Sequence, residues 1–262
     1  MDKIDDQTFT ITFGDRAENH KSMQIIGNKI DEGLNVTDLK NVRKYFESLG
    51  AKCTLINLKL LLKNDLDEDE YDNVDNAYLL IVSNGTDALL GKDKRNELYL
   101  EQEKLKKDTK AFMYGKVVNK KARHNLCFSD FAQNADYENG KGTVVKFTTQ
   151  PILNKLRKEL YNILKNDKMK KLQAEGNYYY DVDSTYIGFH GDSERMIVIA
   201  VRLGAKFPIH YQWYYQGVEI GKRFKKILKH GDIYFMSEKA TGNDWKRSNI
   251  YTLRHAAGFA IK

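Results

Sequence analysis

The sequence contains little cysteine and has no long apolar run. Its 262 residues include only two cysteines, Cys53 and Cys127, which excludes a disulfide framework and a cysteine-rich zinc site. No apolar run approaches the roughly 20 residues of a membrane span, and the acidic, polar N-terminus does not resemble a signal peptide. We therefore expect an intracellular protein without a membrane partner, located in the cytoplasm, the nucleus or, if viral, the interior of a host cell.

Charge is distributed unevenly along the chain. Residues 1–100 carry 13 Lys and Arg against 19 Asp and Glu, a formal charge of −6, whereas residues 101–262 carry 30 against 17, or +13. The basic C-terminal part predicts a polyanionic partner, with nucleic acid (DNA or RNA) as the first expectation. A genome-wide lysine bias is the alternative explanation of this charge. The densest basic segment predicts phosphate contacts by Lys222, Arg223, Lys225 and Lys226.

The first 92 residues are predicted to form a small α/β domain. Their pattern predicts two helices, at about 17–31 and 38–49, followed by two buried strands at 53–58 and 77–82. The polar cluster at 14–23 fits either the capping of the first helix or a contact with a partner. The acidic segment between helix and strand has part of the spacing of a calcium loop but lacks its glycine and its closing glutamate, which predicts a solvated loop.

The rest of the chain is predicted to be rich in strands. Residues 93–109 form a charged linker helix, and residues 110–262 form a second domain. In that domain Pro151 opens a helix with leucines on one face. Short strands separated by turns rich in Gly or Asp follow it, with a helix end expected just before His230. The pattern predicts an antiparallel barrel or jelly roll, and hence an α+β fold.

A His-x-Asp pattern occurs twice, at His190 with Asp192 and again at His230. A mononuclear Fe(II) site needs two imidazoles and one carboxylate on one face. Residues i and i+2 of a strand share a face, so His190 and Asp192 can supply two of these ligands. The third is His210, His230 or His255, and His255 is preferred because the other two fit a core strand and a turn. On spacing alone, unrelated core or surface histidines are the alternative.

The segment NYYYDVDSTYIGFHGDSER (177–195) resembles the metal-binding segment of AlkB-type 2-oxoglutarate/Fe(II) dioxygenases. The resemblance extends in order on both sides, from FMYGKVV and the proline-opened helix to VIAVRLGA and LKHGDIYFMS. It covers about residues 110–258, more than half of the chain. It implies a double-stranded β-helix (jelly-roll) core and the cofactors Fe(II) and 2-oxoglutarate.

Individual site residues follow from this resemblance. It implies that His190 and Asp192 are the first two iron ligands and that Tyr180 contacts 2-oxoglutarate. Asn177 lies one position away from the family asparagine and is assigned to the same cosubstrate site. The C-terminal part departs from the family pattern, in which the distal histidine precedes an arginine segment. Here the candidate histidine, His255, follows that segment.

Two alignments of the C-terminal part are therefore open. In the preferred one, His255 completes the triad, and Arg202, Arg254 or Lys262 binds the distal carboxylate of 2-oxoglutarate. In the other, Arg247 and Arg254 are the family arginines, and Asn243 or Asp244 replaces the histidine. Either alignment needs a fixed cation, because one end of a buried dianion requires a partner.

The resemblance implies an enzyme that couples the decarboxylation of 2-oxoglutarate to the hydroxylation of a C–H bond. If that carbon is an N-methyl group, the products are formaldehyde and a demethylated base, as in DNA repair. The basic C-terminal part supports a nucleic-acid base as the substrate, flipped out of any duplex, with Trp213, Tyr214 and Tyr215 as candidates for stacking on it or, alternatively, as core residues. Two alternatives are a protein or peptide hydroxylase on the same scaffold and a nucleic-acid-binding module that has lost the iron site.

Overall fold

The computed structural model of the protein describes residues 6–261, and strands dominate it. The strands are β1 (Thr8–Gly14), β2 (Arg16–Glu18), β3 (Ile25–Gly27), β4 (Cys53–Asn57), β5 (Tyr78–Val82), β6 (Lys110–Met113), β7 (Lys116–Asn119), β8 (His124–Ser129), β9 (Val144–Lys146), β10 (Gln173–Tyr179), β11 (Ile187–His190), β12 (Ile199–Gly204), β13 (Phe207–Tyr215), β14 (Val218–Leu228), β15 (Ile233–Met236) and β16 (Thr252–Ala257). The helices are α1 (Val36–Ser48), α2 (Glu68–Asp72), α3 (Gly85–Leu90), α4 (Lys94–Glu103), α5 (Pro151–Leu164) and α6 (Glu238–Thr241).

Eight strands form the larger sheet, in the order β4-β5-β15-β12-β1-β10-β8-β9. Neighbouring strands are antiparallel except β8 and β9, which are parallel. Side chains alternate between the two faces of each strand. On one face, Ile199, Val201 and Leu203 of β12 lie in a buried cluster with apolar residues of α1, α4 and α5. The three helices therefore cover one side of the larger sheet.

Four strands form the smaller sheet, in the order β11-β16-β13-β14. Its inward side chains, including Tyr211 of β13 and Leu253 of β16, share a second buried cluster with Ala200 and Tyr234 of the larger sheet. The two sheets thus face each other across this second cluster. The result is a strand-rich mixed α/β fold with three layers: helices, larger sheet and smaller sheet.

The two main helices form where the sequence predicts them. Asn35 and Asp38 make a reciprocal capping box at the start of α1, with both backbone-to-side-chain bonds at 3.0 Å. Pro151 occupies the first turn of α5, where a missing N–H costs no hydrogen bond, and the helix buries a stripe of leucines (Leu153, Leu156 and Leu160). Within residues 6–261, no helix is long and apolar enough to span a lipid bilayer.

The predicted boundary at residue 92 does not divide the molecule into two sheets. β1 lies between β10 and β12, and β5 pairs with β15. Strands from residues 1–92 therefore satisfy the backbone hydrogen-bonding groups of strands from residues 110–262. The prediction of a separate small N-terminal domain is corrected by this pairing, because both parts of the chain build one sheet.

Two local predictions are wrong. Most of the segment predicted as a helix at 17–31 is a hairpin of β2 and β3, because Ala17 and Ile26 are buried against Cys127 and Val144 and this packing overrides helix propensity. The segment before His230 is the strand β14, which pairs with β13 along almost its whole length. Phe224 and Leu228 of this strand pack against the second buried cluster, whereas its consecutive cations are exposed.

Candidate metal centre

Strands β11 and β16 bring two histidines together. The strands pair antiparallel with His190 directly opposite His255, and their ring centroids lie 4.5 Å apart. Asp192 follows in the loop after β11, where its backbone N–H donates to the Thr241 carbonyl oxygen at 2.9 Å. Nε2 of His190 lies 3.5 Å from Oδ1 of Asp192, and Nε2 of His255 lies 3.8 Å from Oδ2. One potential ligand atom from each residue lies within 4.8 Å of the others.

A hydrogen bond orients the imidazole of His190, and burial lowers the pKa of His255. Nδ1 of His190 lies 2.8 Å from the carbonyl oxygen of Gly188, a contact that places the proton on Nδ1 and leaves the Nε2 lone pair facing Asp192. His255 is buried, and its burial, with a smaller effect of His190, holds its pKa well below the usual range. A neutral imidazole is the form that binds a metal ion.

A buried ionic cluster centred on Arg195 lies next to Asp192. Arg195 is 3% exposed and pairs with Glu175 at 2.6 Å and with Glu194 at 2.7 Å, and its Nε lies 4.0 Å from Asp192. Asp15 accepts hydrogen bonds from the backbone N–H groups of the two residues that follow Arg195, at 2.8 and 2.9 Å. The loop that carries Asp192 is therefore fixed by a carboxylate from the β1–β2 turn.

An inner cavity lies between the two sheets, next to the triad. It is lined by the triad and by polar residues of the larger sheet: Thr10, Thr12, Glu175, Asn177, Tyr179 and Tyr234. Thr10 is the direct cross-strand neighbour of Arg202, so the two side chains lie on the same face of the larger sheet.

Arg202 is an unusual buried cation. It is fully buried, and none of its three guanidinium nitrogens has a hydrogen-bond partner among the described residues. Its guanidinium carbon lies 4.9 Å from the centre of the Phe207 ring, and its charge is influenced by Tyr234, Tyr179 and Asp232, none of which forms a hydrogen bond with it. Burial lowers the pKa of Arg202. An unpaired buried guanidinium is costly, and an anionic ligand would satisfy it.

An outer cleft of about 500 Å³ opens to the surface on the other side of the metal centre. His190 and Asp192 border both spaces, so a bound metal ion would lie where they meet. The cleft contains aromatic, cationic and acidic side chains: Phe189, Trp245, Lys21, Lys246, Arg123, His20, Glu18 and Glu194. The polar cluster predicted at 14–23 thus contributes to a wall of this cleft.

Several predicted cosubstrate residues lie elsewhere. Tyr180 is 38% exposed, stacks on His124 and donates its hydroxyl proton to the carbonyl oxygen of Lys121. Arg254 neighbours His255 on β16 and therefore points to the opposite face, where its guanidinium lies 3.8 Å from the centre of the Tyr214 ring. Lys262 lies outside the described residues. Of the predicted carboxylate-binding cations, Arg202 is the one on the cavity side of the sheets.

The sequence did not identify one residue that lines the inner cavity. Tyr179, not Tyr180, faces the inner cavity, alongside Glu175 and Asn177 on β10. The sequence contained a signal for this: Tyr179 is two residues from Asn177, and residues at i and i+2 of a strand share a face. Asn177 is held there by Arg123 Nε at 2.6 Å and by its own bond to Glu175 at 2.9 Å.

The alternative ligands and stacking residues have other partners. Asp244 accepts from Lys239 Nζ at 2.6 Å, and Asn243 contacts the Met196 sulfur at 3.2 Å, so neither joins the triad. Trp213 is fully buried and donates from Nε1 to the Leu58 carbonyl oxygen at 2.9 Å. It is a core residue rather than a stacking platform.

The predicted phosphate contacts lie on one edge strand. Lys222, Arg223, Lys225 and Lys226 are all exposed on β14, which forms the edge of the smaller sheet. Between Val218 and Lys229 there are five cations and one acid, Glu219. Arg223 pairs with that acid at 3.0 Å.

Comparison with known proteins gives one relative and no family model. The chain is 45% identical over 253 residues to an uncharacterized protein of Acanthamoeba polyphaga mimivirus, a match that covers 96% of each chain. No family model matches the sequence.

Proposed function

The chain belongs to the same family as this mimivirus protein, and from its own geometry we propose that it is an Fe(II)- and 2-oxoglutarate-dependent dioxygenase that hydroxylates or demethylates a nucleic-acid base. One observation carries the proposal: the triad of His190, Asp192 and His255 adjoins a cavity on the side of the larger sheet where the unpaired Arg202 is buried. The two facing sheets around this cavity support the jelly-roll core that the AlkB-like segment implies.

The residues of the triad suit Fe(II). Two neutral imidazoles and one carboxylate are the ligand set of mononuclear iron oxygenases, and they leave positions open for other ligands. His190, Asp192 and His255 would hold the ion, and the Gly188 carbonyl fixes the orientation of His190. When bound, Fe(II) together with 2-oxoglutarate supplies the oxidation of a substrate C–H bond by molecular oxygen.

Arg202 would bind the distal carboxylate of 2-oxoglutarate. Its charge is enclosed between the sheets, where an ion pair is stronger than in water. The hydroxyl of Thr10, which also has no hydrogen-bond partner among the described residues, and the side chain of Asn177 face the same cavity. The chain's own groups therefore orient the cosubstrate and keep water away from its buried end.

The outer cleft would receive the substrate. The rings of Phe189 and Trp245 suit the flat face of a base, and Lys21, Arg123 and Lys246 suit phosphates. A base in a duplex would have to be flipped out to reach the metal centre, because His190 and Asp192 line a cleft. The viral origin of the relative supports the interior of an infected cell as the place of action.

The function is tested by iron binding and succinate formation in the same preparations. Anaerobic Fe(II) titration should show one site, and Fe(II), 2-oxoglutarate, oxygen and a methylated oligonucleotide should yield succinate and formaldehyde. His190→Ala and Asp192→Ala should lose both, whereas His124→Ala, outside the site, should keep both. Changes near metal ligands cost about 10–100-fold in metal affinity, so His255→Ala, which removes a ligand, should cost at least as much.

Two outcomes would contradict this function. Unchanged iron affinity in His255→Ala would remove His255 from the site. A wild-type protein that neither binds iron nor forms succinate would overturn the enzyme and favour a binding module. Succinate formed with a methylated peptide but not with an oligonucleotide would instead identify a protein hydroxylase.

A further inference from the structure

Phe189 connects the metal centre to the far side of the smaller sheet. The register of β11 shifts between Ile187 and His190; His190 lines the inner cavity, whereas the Phe189 ring lies near outward residues of β13. The Phe189 ring lies 6.4 Å from the ring of His210 and 6.3 Å from that of Tyr214, two outward residues of β13. Phe189 also borders the outer cleft. One aromatic ring therefore belongs both to the cleft and to the outer face of this sheet.

Cations and further apolar side chains continue from Phe189 along this outer face. The Arg223 guanidinium lies 5.0 Å from the centre of the Phe189 ring, and Nζ of Lys225 lies 5.8 Å from that of Phe259. Phe259 is 39% exposed. We define Phe189, Arg223, Lys225 and Phe259 as the outer strip.

The charge of the outer strip is not neutralised along its length. Glu219 pairs with Arg223, but no carboxylate among residues 6–261 lies within 4.0 Å of Lys225. Lys225 lies opposite His210 in the sheet, which puts its side chain on the outer face, whereas its neighbour Lys226 lies opposite the inward residue Ile209. Of the predicted phosphate contacts, Lys226 therefore lies on the other side of the strand from Lys225 and is not part of the outer strip, although the two lysines carry equal charge.

We propose that the outer strip binds the single-stranded polynucleotide that flanks the target base. Exposed rings interleaved with cations are the pattern that holds unpaired strands, because bases stack on the rings while the cations neutralise phosphates. A paired duplex cannot use the rings, since its bases are already stacked. Phe189 borders both surfaces, so the polynucleotide would pass over its ring from the outer strip into the outer cleft. The identity of the polymer rests on the proposed function, whereas the position of the surface rests on the strip itself.

The test is fluorescence anisotropy of a labelled oligothymidylate with metal-free full-length protein, over a series of salt concentrations. Each phosphate contact to a single strand contributes about −0.7 to the slope of log affinity against log salt. Lys225→Gln should reduce the magnitude of this slope by about 0.7, and the matched variant Lys226→Gln should leave it unchanged. Annealing the strand to its complement should weaken binding to wild type.

Aromatic stacking gives a second, independent readout. Phe259→Ala lies away from the metal ligands and should weaken binding about tenfold without changing the salt slope. Phe131→Ala removes a similarly exposed ring (44% against 39%) outside the strip and should have no effect. Equal salt slopes for the two lysine variants, or equal affinities for the two phenylalanine variants, would overturn the proposed surface.

Failure of the surface and failure of the proposed function are distinguishable, because binding is measured without metal. Strip-dependent binding in a protein that forms no succinate would keep the surface and reject the dioxygenase. Succinate formation that is indifferent to all of these variants would keep the dioxygenase and reject the surface.

Discussion

At the residue scale, the buried charge of Arg202 leads to a prediction about stability. Folding buries its charge without a hydrogen-bond partner, and an uncompensated buried charge costs about 3–5 kcal/mol. Arg202→Met keeps the aliphatic part of the side chain and removes the charge, so the free energy of unfolding of the ligand-free protein should rise by about that amount. Urea unfolding of both proteins measures the difference.

The same variant should lose its response to cosubstrate. A ligand that binds the folded state raises its stability, so 2-oxoglutarate should raise the Tm of wild type but not of Arg202→Met. Pyruvate shares the 2-oxo acid group and lacks the distal carboxylate, and it should affect the two proteins alike. A Tm increase with 2-oxoglutarate in Arg202→Met would assign the carboxylate to another cation.

Glu18, in the outer cleft, predicts a pH dependence of stability. Burial, with the nearby charges of Glu194 and Glu175, raises the pKa of Glu18 to about 7 from a usual value of 4.5. Between these values the folded protein holds a proton that the unfolded chain has released, so stability falls as the pH rises from 4.5 through 7. Glu18→Gln should make the unfolding free energy less dependent on pH in this window. The exposed Glu138→Gln should match wild type, and equal slopes for both variants would contradict the shift.

The sequence predicted the candidate triad better than the residues around it. His190, Asp192 and His255 came from motif, elimination and resemblance, and they do lie together. Tyr180 was chosen over Tyr179 because three consecutive tyrosines hide which one faces inward until the register of β10 is known. Arg202 was one of three candidate cations, since no sequence pattern shows that a charge on a central strand lacks a partner.

At the element scale, Asp15 of the β1–β2 turn holds the loop between β11 and β12 by two hydrogen bonds. Asp15→Ala would leave the backbone N–H groups of Met196 and Ile197 buried without acceptors, at about 1–3 kcal/mol each. Asp192 lies in this loop, so iron affinity should fall along with stability. Asp65→Ala, which removes an exposed turn carboxylate, should change neither quantity. Iron titration and urea unfolding measure both, and normal iron affinity in Asp15→Ala would refute the positioning role.

Elements with a clear periodicity were predicted, and those set by distant contacts were not. α1 begins with a capping box, α5 begins with Pro151, and each helix has an apolar stripe on one face, so local sequence is sufficient for them. The hairpin of β2 and β3 depends on burial against β8 and β9, which no local window contains. β14 was read as the end of a helix because its lysines obscure the alternation of a strand.

At the scale of the whole molecule, the shared sheet predicts that residues 93–262 cannot fold alone. Without residues 1–92 the larger sheet loses β1, β4 and β5, and β12 loses its neighbour β1. The fragment should aggregate or lack a cooperative urea transition, whereas co-expression with residues 1–92 should restore a complex that binds iron. A fragment that unfolds cooperatively by itself would support the original division at residue 92.

The charge boundary near residue 100 is therefore not a boundary of the fold. The acidic first part and the basic second part contribute neighbouring strands to one sheet. Composition predicts where a polyanion-binding surface would lie, because charge acts at the surface. Composition could not show that both parts of the chain share one core, because strand pairing is decided by apolar side chains on both sides of that boundary.

The alternation of β16 also limits which genetic changes this family can tolerate. His255 faces the inner cavity and Arg254 the opposite face, so moving the strand by one residue exchanges them. Inserting a single codon between Thr252 and Leu253 would put the Arg254 guanidinium where the imidazole stands, if the upstream residues keep their register. Deleting Leu253 would put the small side chain of Ala256 there. A two-codon change keeps each side chain on its own face but moves the imidazole by two residues, about 7 Å along the strand, away from Asp192. Relatives that keep the triad should therefore show no length variation in this stretch of the gene.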